Sequence, residues 1–139
     1  MEGEAGKIWA VGMASIFIIS GEQKGEYYPL GHRTNVVGRD EALPIQVLDD
    51  LVSRKHLQIH YDKQKDQYFA TDMRSKHGVF INDRKITDET VLVDGDEILI
   101  GQTTLLFTTR DFDDYESALS HFKKVGERQR PTHIQGVGD

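Results

Sequence analysis

From about residue 15 to residue 109 the chain never stays apolar for long: short runs of β-branched and aromatic side chains are cut off by glycine, asparagine and aspartate. None of these runs shows the three-and-four spacing of a helix face, and their regular interruption is the pattern of a small all-β fold. The clearest run covers residues 56–61, where Leu57, Ile59 and Tyr61 alternate with His56, Gln58 and His60. A period of two means one face buried and one face wet. Strands of this kind satisfy their backbone groups by pairing into sheets and bury their apolar faces by stacking those sheets.

The other segments fit the same scheme. A first strand over residues 16–19 returns over 26–30, with Tyr27 and Tyr28, through the polar turn 21–25, as a hairpin does. Residues 35–37 and 45–48 read as strands, and the charged loop 62–66 joins 56–61 to a partner over 67–72. Residues 79–81 form a strand that turns at Asn82-Asp83. Asp94-Gly95-Asp96 reads as a hairpin turn between 91–93 and 98–100, and 103–109 is the last strand.

Beyond Asp111 the period changes. Phe112, Tyr115, Leu119 and Phe122 recur at spacings of three and four and predict a helix over 111–126 with its apolar stripe on the sheet. Asp111 suits the cap, Asp113 and Asp114 the positive end of the helix dipole, Lys123 and Lys124 the negative end, and Gly126 the stop. Residues 1–14 form an N-terminal extension with a small apolar patch at Ile8-Trp9-Ala10-Val11, and 127–139 read as a flexible tail. The expectation is one domain over 15–110, followed by a packed helix and a tail.

At 139 residues the chain has the size of one ordinary domain. A net charge of −6 argues against a broad grip on nucleic acid, which needs an extended basic surface. There is no cysteine, so no disulfide framework, thiol nucleophile or thiolate metal site exists. The apolar stretch 8–19 follows Lys7, but Glu2 and Glu4 give it the wrong flank for a signal peptide. No stretch approaches the roughly 20 apolar residues of a membrane span, and a cytoplasmic monomer is the default expectation.

Three short runs put hydroxyls and cations at the edges of apolar strands: Gly38-Arg39, Ser53-Arg54-Lys55-His56 and Ser75-Lys76-His77-Gly78. Small donors beside fixed positive charge suit an anion, and a site for a single phosphate group is the hypothesis they raise. Catalysis is not expected. In an extended segment a spacing of three puts Ser53 and His56 on opposite faces, poor geometry for a dyad unless the chain bends there, and no Gly-x-Ser-x-Gly elbow is present. His56 and His60 share the wet face of a strand and could ligate a metal, but no third ligand is placed, so neither metal nor cofactor is expected. Lys55 and Arg74 read as solvated rim charges.

Taken together, in this order and spacing, these runs and the following Val79-Phe80-Ile81-Asn82 resemble the forkhead-associated (FHA) domain family, from about Ser15 to Thr108. The resemblance implies a β-sandwich of about eleven strands whose loops at one end bind phosphothreonine peptides in preference to phosphoserine. It implies that Arg39 reaches the phosphate or the peptide backbone, that Ser53 donates its hydroxyl to a phosphate oxygen, and that Arg54 adds charge. His56 would brace the loop together with Gly38 and Gly78, and Lys76 and His77 would lie in the loop that holds the peptide main chain.

The implied partners are phosphothreonine-containing proteins downstream of a Ser/Thr kinase, met by a non-catalytic adaptor. One departure stands out: His77 takes the place of the family's usual asparagine. Imidazole offers an acceptor and a donor in a different geometry and gains charge on mild acidification, so the grip on peptide could be altered or pH dependent. An FHA-fold assembly protein that binds through its sheet faces or helix, independently of phosphate, is the alternative. Thr132, downstream of Arg128 and Arg130, is a candidate regulatory phosphosite for a basic-directed kinase.

Overall fold

The run with the strict alternation is the strand through which one whole sheet is assembled. Leu57 and Ile59 are fully buried while Gln58 and His60 keep partial exposure. The computed structural model describes residues 14–109. The N-terminal extension before them, the helix expected over 111–126 and the tail with Thr132 lie outside the described residues.

Eleven strands follow in order: β1 (Ser15–Ile18), β2 (Tyr27–Pro29), β3 (Asn35–Gly38), β4 (Ile45–Gln46), β5 (Leu57–Asp62), β6 (Gln67–Asp72), β7 (Val79–Ile81), β8 (Arg84–Lys85), β9 (Thr90–Leu92), β10 (Glu97–Ile100) and β11 (Thr103–Thr108). They form a six-stranded sheet in the order β2-β1-β11-β10-β7-β8 and a five-stranded sheet in the order β4-β3-β5-β6-β9. No helix occurs among the described residues, and the architecture is the expected all-β sandwich.

Alternation sets the register. β5 pairs with β6 from Leu57↔Asp72 to Asp62↔Gln67, which keeps Leu57, Ile59 and Ala70 facing the second sheet. From the opposite sheet Ile16, Ile18, Ile98, Leu105 and Phe107 close the core, all with essentially no exposure. Each such side chain contributes about 1.5–3 kcal/mol when fully buried. The first hairpin is as expected, with Phe17 opposite Tyr27. At the β7–β8 turn Asn82 and Asp83 both adopt positive φ, 49° and 72°, as tight two-residue turns demand.

Besides β8, a strand not expected from the sequence, two details differ from the sequence reading. The strand expected over 45–48 is only Ile45–Gln46 and runs parallel to β3, because Asp40 coils the intervening loop, accepting the Ala42 amide on its side chain and the Leu43 amide on its carbonyl. The second concerns Asp94-Gly95-Asp96, which is not a hairpin turn. β9 pairs with β6 in one sheet and β10 with β7 and β11 in the other, so this turn carries the chain across the sandwich.

The reason lies in Asp96, which is 6% exposed. Its carboxylate accepts the Val93 amide at 2.9 Å and the Asn82 side-chain amide at 2.8 Å, while the Gly95 amide bonds the Phe107 carbonyl. These bonds fasten the turn to β11 and to the β7–β8 corner. Replacing Asp96 by alanine leaves two donors without acceptors, each costing about 1–3 kcal/mol. The Asp96→Ala protein should therefore unfold at a lower urea midpoint with an unchanged m-value; an unshifted midpoint would remove the crossing its anchor.

Candidate functional site

The three motifs meet at one end of the sandwich because glycine allows two of the loops to touch. At Gly38, the last residue of β3, a Cβ would come within 2.1 Å of the Arg54 carbonyl oxygen. Only a residue without a side chain lets the 53–54 backbone cross there. The contact is then sealed by backbone bonds from the Arg39 amide to the Ser53 carbonyl at 3.0 Å and from the Asp40 amide to the Arg54 carbonyl at 3.3 Å.

Arg39 is held by its own side chain as well. Its Nε donates to the Val52 carbonyl at 2.9 Å, and the residue is exposed. No carboxylate pairs with it among the described residues. Arg54, by contrast, reaches Asp40 at 3.5 Å with its side chain 74% exposed. The Asp40 carboxyl sits below its ordinary range because of the Ala42 amide first and the Arg54 guanidinium after it.

Ser53 sits at the junction of two loops. Its Oγ accepts the Lys76 amide at 3.0 Å, which ties the loop before β5 to the loop between β6 and β7. A hydroxyl with a lone pair engaged in this way keeps its proton available for an acceptor arriving from solvent. Lys76 and His77 are exposed beside it, and Lys55 is exposed on the same loop as Ser53.

His56 lies beneath them, fully buried. The Ser53 amide donates to its Nδ1 at 2.9 Å, so Nδ1 is the acceptor and Nε2 carries the proton, which it donates to the Gly78 carbonyl at 2.7 Å. Two expectations are corrected here. Residues 51–56 turn instead of running extended, so Ser53 and His56 are not on opposite faces. The imidazole nevertheless grips the Ser53 amide and not its hydroxyl, and both ring nitrogens are occupied by main chain. His56 also does not share a wet face with His60, because it precedes β5 and turns inward. The His60 Nδ1 instead contacts the Thr34 hydroxyl at 3.0 Å.

The third motif is shaped by two short side chains. Asp72 accepts the Ser75 amide and Ser75 Oγ accepts the Gly78 amide, both at 2.9 Å, and Gly78 itself has φ of 88°. A Cβ on Gly78 would lie 3.0 Å from Cε of Lys85, so the β8 lysine lays its stem over this glycine and brings another cation to the rim.

Ser75 stands in one of the three runs without a role of its own, and neither Lys85 nor Asp49 falls in any of them. The Asp49 carboxylate accepts the Leu51 amide at 2.9 Å, the Gln102 amide at 2.7 Å and the Thr103 hydroxyl at 2.8 Å, pinning the Ser53 loop to the β10–β11 turn. The bond from Asp49 to the amide two residues on is a local signal that the sequence carries. Lys85 leaves none, since it reaches Gly78 only through the pairing of β8 with β7.

The class of protein follows from the geometry: a β-sandwich that presents a guanidinium, a hydroxyl and several ammonium groups from loops at one end. Residues 35–101 match the FHA domain, which assigns that stretch of the chain to the FHA family. It is similar to the oxoglutarate dehydrogenase inhibitor of Corynebacterium jeikeium, with 33% identity over 96 residues, 69% of this chain and 65% of that one. It is also similar to the glycogen accumulation regulator GarA of Mycolicibacterium smegmatis, with 32% identity over 98 residues, 70% of this chain and 60% of the relative. The match thus spans less than two thirds of either relative.

Among solved structures, the FHA domain of FhaA in complex with the intracellular domain of Rv3910 is 28% identical, with a TM-score of 0.60 over 68% of this chain and 98% of that one. An FHA domain described for phosphothreonine-dependent interactions is 26% identical, with a TM-score of 0.63 over 72% of this chain and 99% of that one. The two relatives are named for inhibition and regulation, not for a reaction of their own. Among the described residues no helix is long and apolar enough to cross a membrane.

Asp49 offers a test of how this end is held. Burial pushes its carboxyl up, but the Leu51 and Gln102 amides and the Thr103 hydroxyl together outweigh burial and hold it below the ordinary range. A carboxyl depressed in the folded state stabilises the fold above its unfolded value, near pH 4, and loses that contribution as pH falls through its folded value. Asp49→Asn should lower stability by about 1–3 kcal/mol at neutral pH and flatten the loss below about pH 4, as read by urea unfolding across that range. An unchanged acid limb would mean that Asp49 does not carry this dependence.

Proposed function

We propose that the protein is a non-catalytic module that recognises phosphothreonine in partner proteins and serves as an adaptor in kinase-dependent signalling in the cytoplasm. The observation that carries this reading is the Ser53 hydroxyl, oriented by the Lys76 amide beside an Arg39 guanidinium anchored through Nε. Arg39 and Ser53 take the phosphate, and Arg54 adds charge once its exposed contact with Asp40 gives way to the anion. Lys76 and His77, with Lys85 behind them, take the peptide main chain. Gly38, His56 and Gly78 hold the loops in place.

The magnitudes fit. A phosphothreonine brings a charge of about −1.5 to −2 and three strong acceptor oxygens. Three charge-assisted bonds at about 1.5–3 kcal/mol each approach the roughly 8 kcal/mol of a micromolar complex. Ordering costs leave little to spare, so each ligand should matter. The similarity to an FHA domain with phosphothreonine-dependent interactions supports the same reading.

Titration of threonine-peptide libraries tests it. Phosphothreonine peptides should bind, and their unphosphorylated and phosphoserine versions should bind far more weakly. Ser53→Ala and Arg39→Ala should each lower affinity about 10–100-fold. Repeating the titration with His77→Asn reads the role of the imidazole, and a changed affinity is expected if residue 77 holds the peptide main chain. Equal affinity for unphosphorylated peptide would favour phosphate-independent assembly through the sheet faces or helix.

Thr132 enters the same proposal as a regulatory phosphosite. Once phosphorylated it would occupy the site in cis at an effective concentration of about 1 mM and exclude partners. Affinity for an external phosphopeptide should fall when Thr132 is phosphorylated; an unchanged value removes this regulation.

A further inference from the structure

The six-stranded sheet has a second face that its own strands do not account for. Ile16, Ile18, Leu105 and Phe107 point inward to the shared core. By alternation their neighbours Phe17 and Leu106 point away from it, and the two are register partners on adjacent strands. Each is nevertheless only 2% exposed, and the next pair in register, Ser15 and Thr108, is 5% and 0% exposed. Outward faces of antiparallel sheets are ordinarily polar and wet. Tyr27 packs on Phe17 with ring centroids 4.9 Å apart but stays 47% exposed, so it does not roof this pair.

The apolar band continues on a diagonal, since the register partner of Leu106 on β10 is Glu97. Leu99 and Phe80, register partners on β10 and β7, face the same way one row further on and are partly buried. Five adjacent strands thus carry Tyr27, Phe17, Leu106, Leu99 and Phe80 on one outer face.

We propose that residues 111–126 are the occupant of this face, docking within the same chain as an amphipathic helix with Phe112, Tyr115, Leu119 and Phe122 against the band. β11 ends at Thr108 inside the band, three residues before Asp111. Sixteen residues of helix span about 24 Å, and five strands about 19 Å, so the stripe is long enough to cross it. The N-terminal patch Ile8-Trp9-Ala10-Val11 is four consecutive apolar residues, a pattern that gives no one-sided stripe. The loops with Arg39 and Ser53 adjoin β3 and β5 of the other sheet, and only the Gly78 end of the third loop borders the band, at Phe80. Docking here closes the sheet to partners while leaving the loop end open, independently of what the loops bind.

Because the chain has no cysteine, paired substitutions report the contact directly. In the 139-residue chain, Leu106→Cys is combined in turn with Tyr115→Cys, Leu119→Cys or Trp9→Cys and oxidised. An intramolecular disulfide with residue 115 or 119, and none with residue 9, is the expected result. A bridge only to residue 9, bridges only between two chains, or no bridge in folded protein would overturn it. As a second measurement, Leu119→Asp with Phe122→Asp should raise binding of an apolar dye several-fold and lower the melting temperature, with phosphopeptide affinity kept within about twofold. A dye signal and melting temperature equal to the parent's would also overturn the docking.

Discussion

Everything at the candidate site hangs on one buried imidazole. His56 accepts a hydrogen bond from the Ser53 amide on one side of its ring and donates one to the Gly78 carbonyl on the other. A neutral imidazole supplies an acceptor and a donor at opposite edges of one rigid plane, so it sets the distance between the loop with the hydroxyl and the loop with Lys76 and His77. Without it two buried main-chain groups would lack partners, at about 1–3 kcal/mol each. The Ser53 hydroxyl then sees the Lys76 amide only because the imidazole has already brought the loops together.

The electrostatics of this end run against the chain as a whole. The protein carries a net charge of −6, yet Arg39, Arg54, Lys55, Lys76 and Lys85 gather on the three loops and on β8 beside them. Asp40 is the one acidic side chain paired with them among the described residues, and its bond to Arg54 is a surface contact, screened by water and weak. Arg39 is anchored through Nε by a carbonyl instead, which costs none of its charge. A local positive rim on an acidic protein suits a compact anion better than a long polyanion.

Much of the fold was legible because it is written in local patterns. β5 and β6 follow from alternation, the β1–β2 hairpin from its turn, and the β7–β8 corner from Asn82-Asp83. The crossing at Asp94-Gly95-Asp96 was not, since a turn signal says that the chain reverses without saying which strand it meets next. That choice is made by Asp96 bonding Asn82 and by Gly95 bonding Phe107, contacts between residues far apart in the chain. The same holds for Lys85, which reaches Gly78 only across a strand pair, and for His56, whose place in an alternating run marks it as wet although the backbone turns it inward.

By itself the sequence determined the all-β class, most strand positions and the three motifs, because alternation, turn residues and short hydroxyl–cation runs are properties of neighbours in the chain. Only the tertiary structure decided how those motifs converge. Gly38 admits the Arg54 backbone at a distance no side chain would allow, and His56 bolts two loops to each other through main-chain groups. Both depend on hydrogen-bond geometry and steric clearance between segments that the chain keeps apart, which no local pattern records.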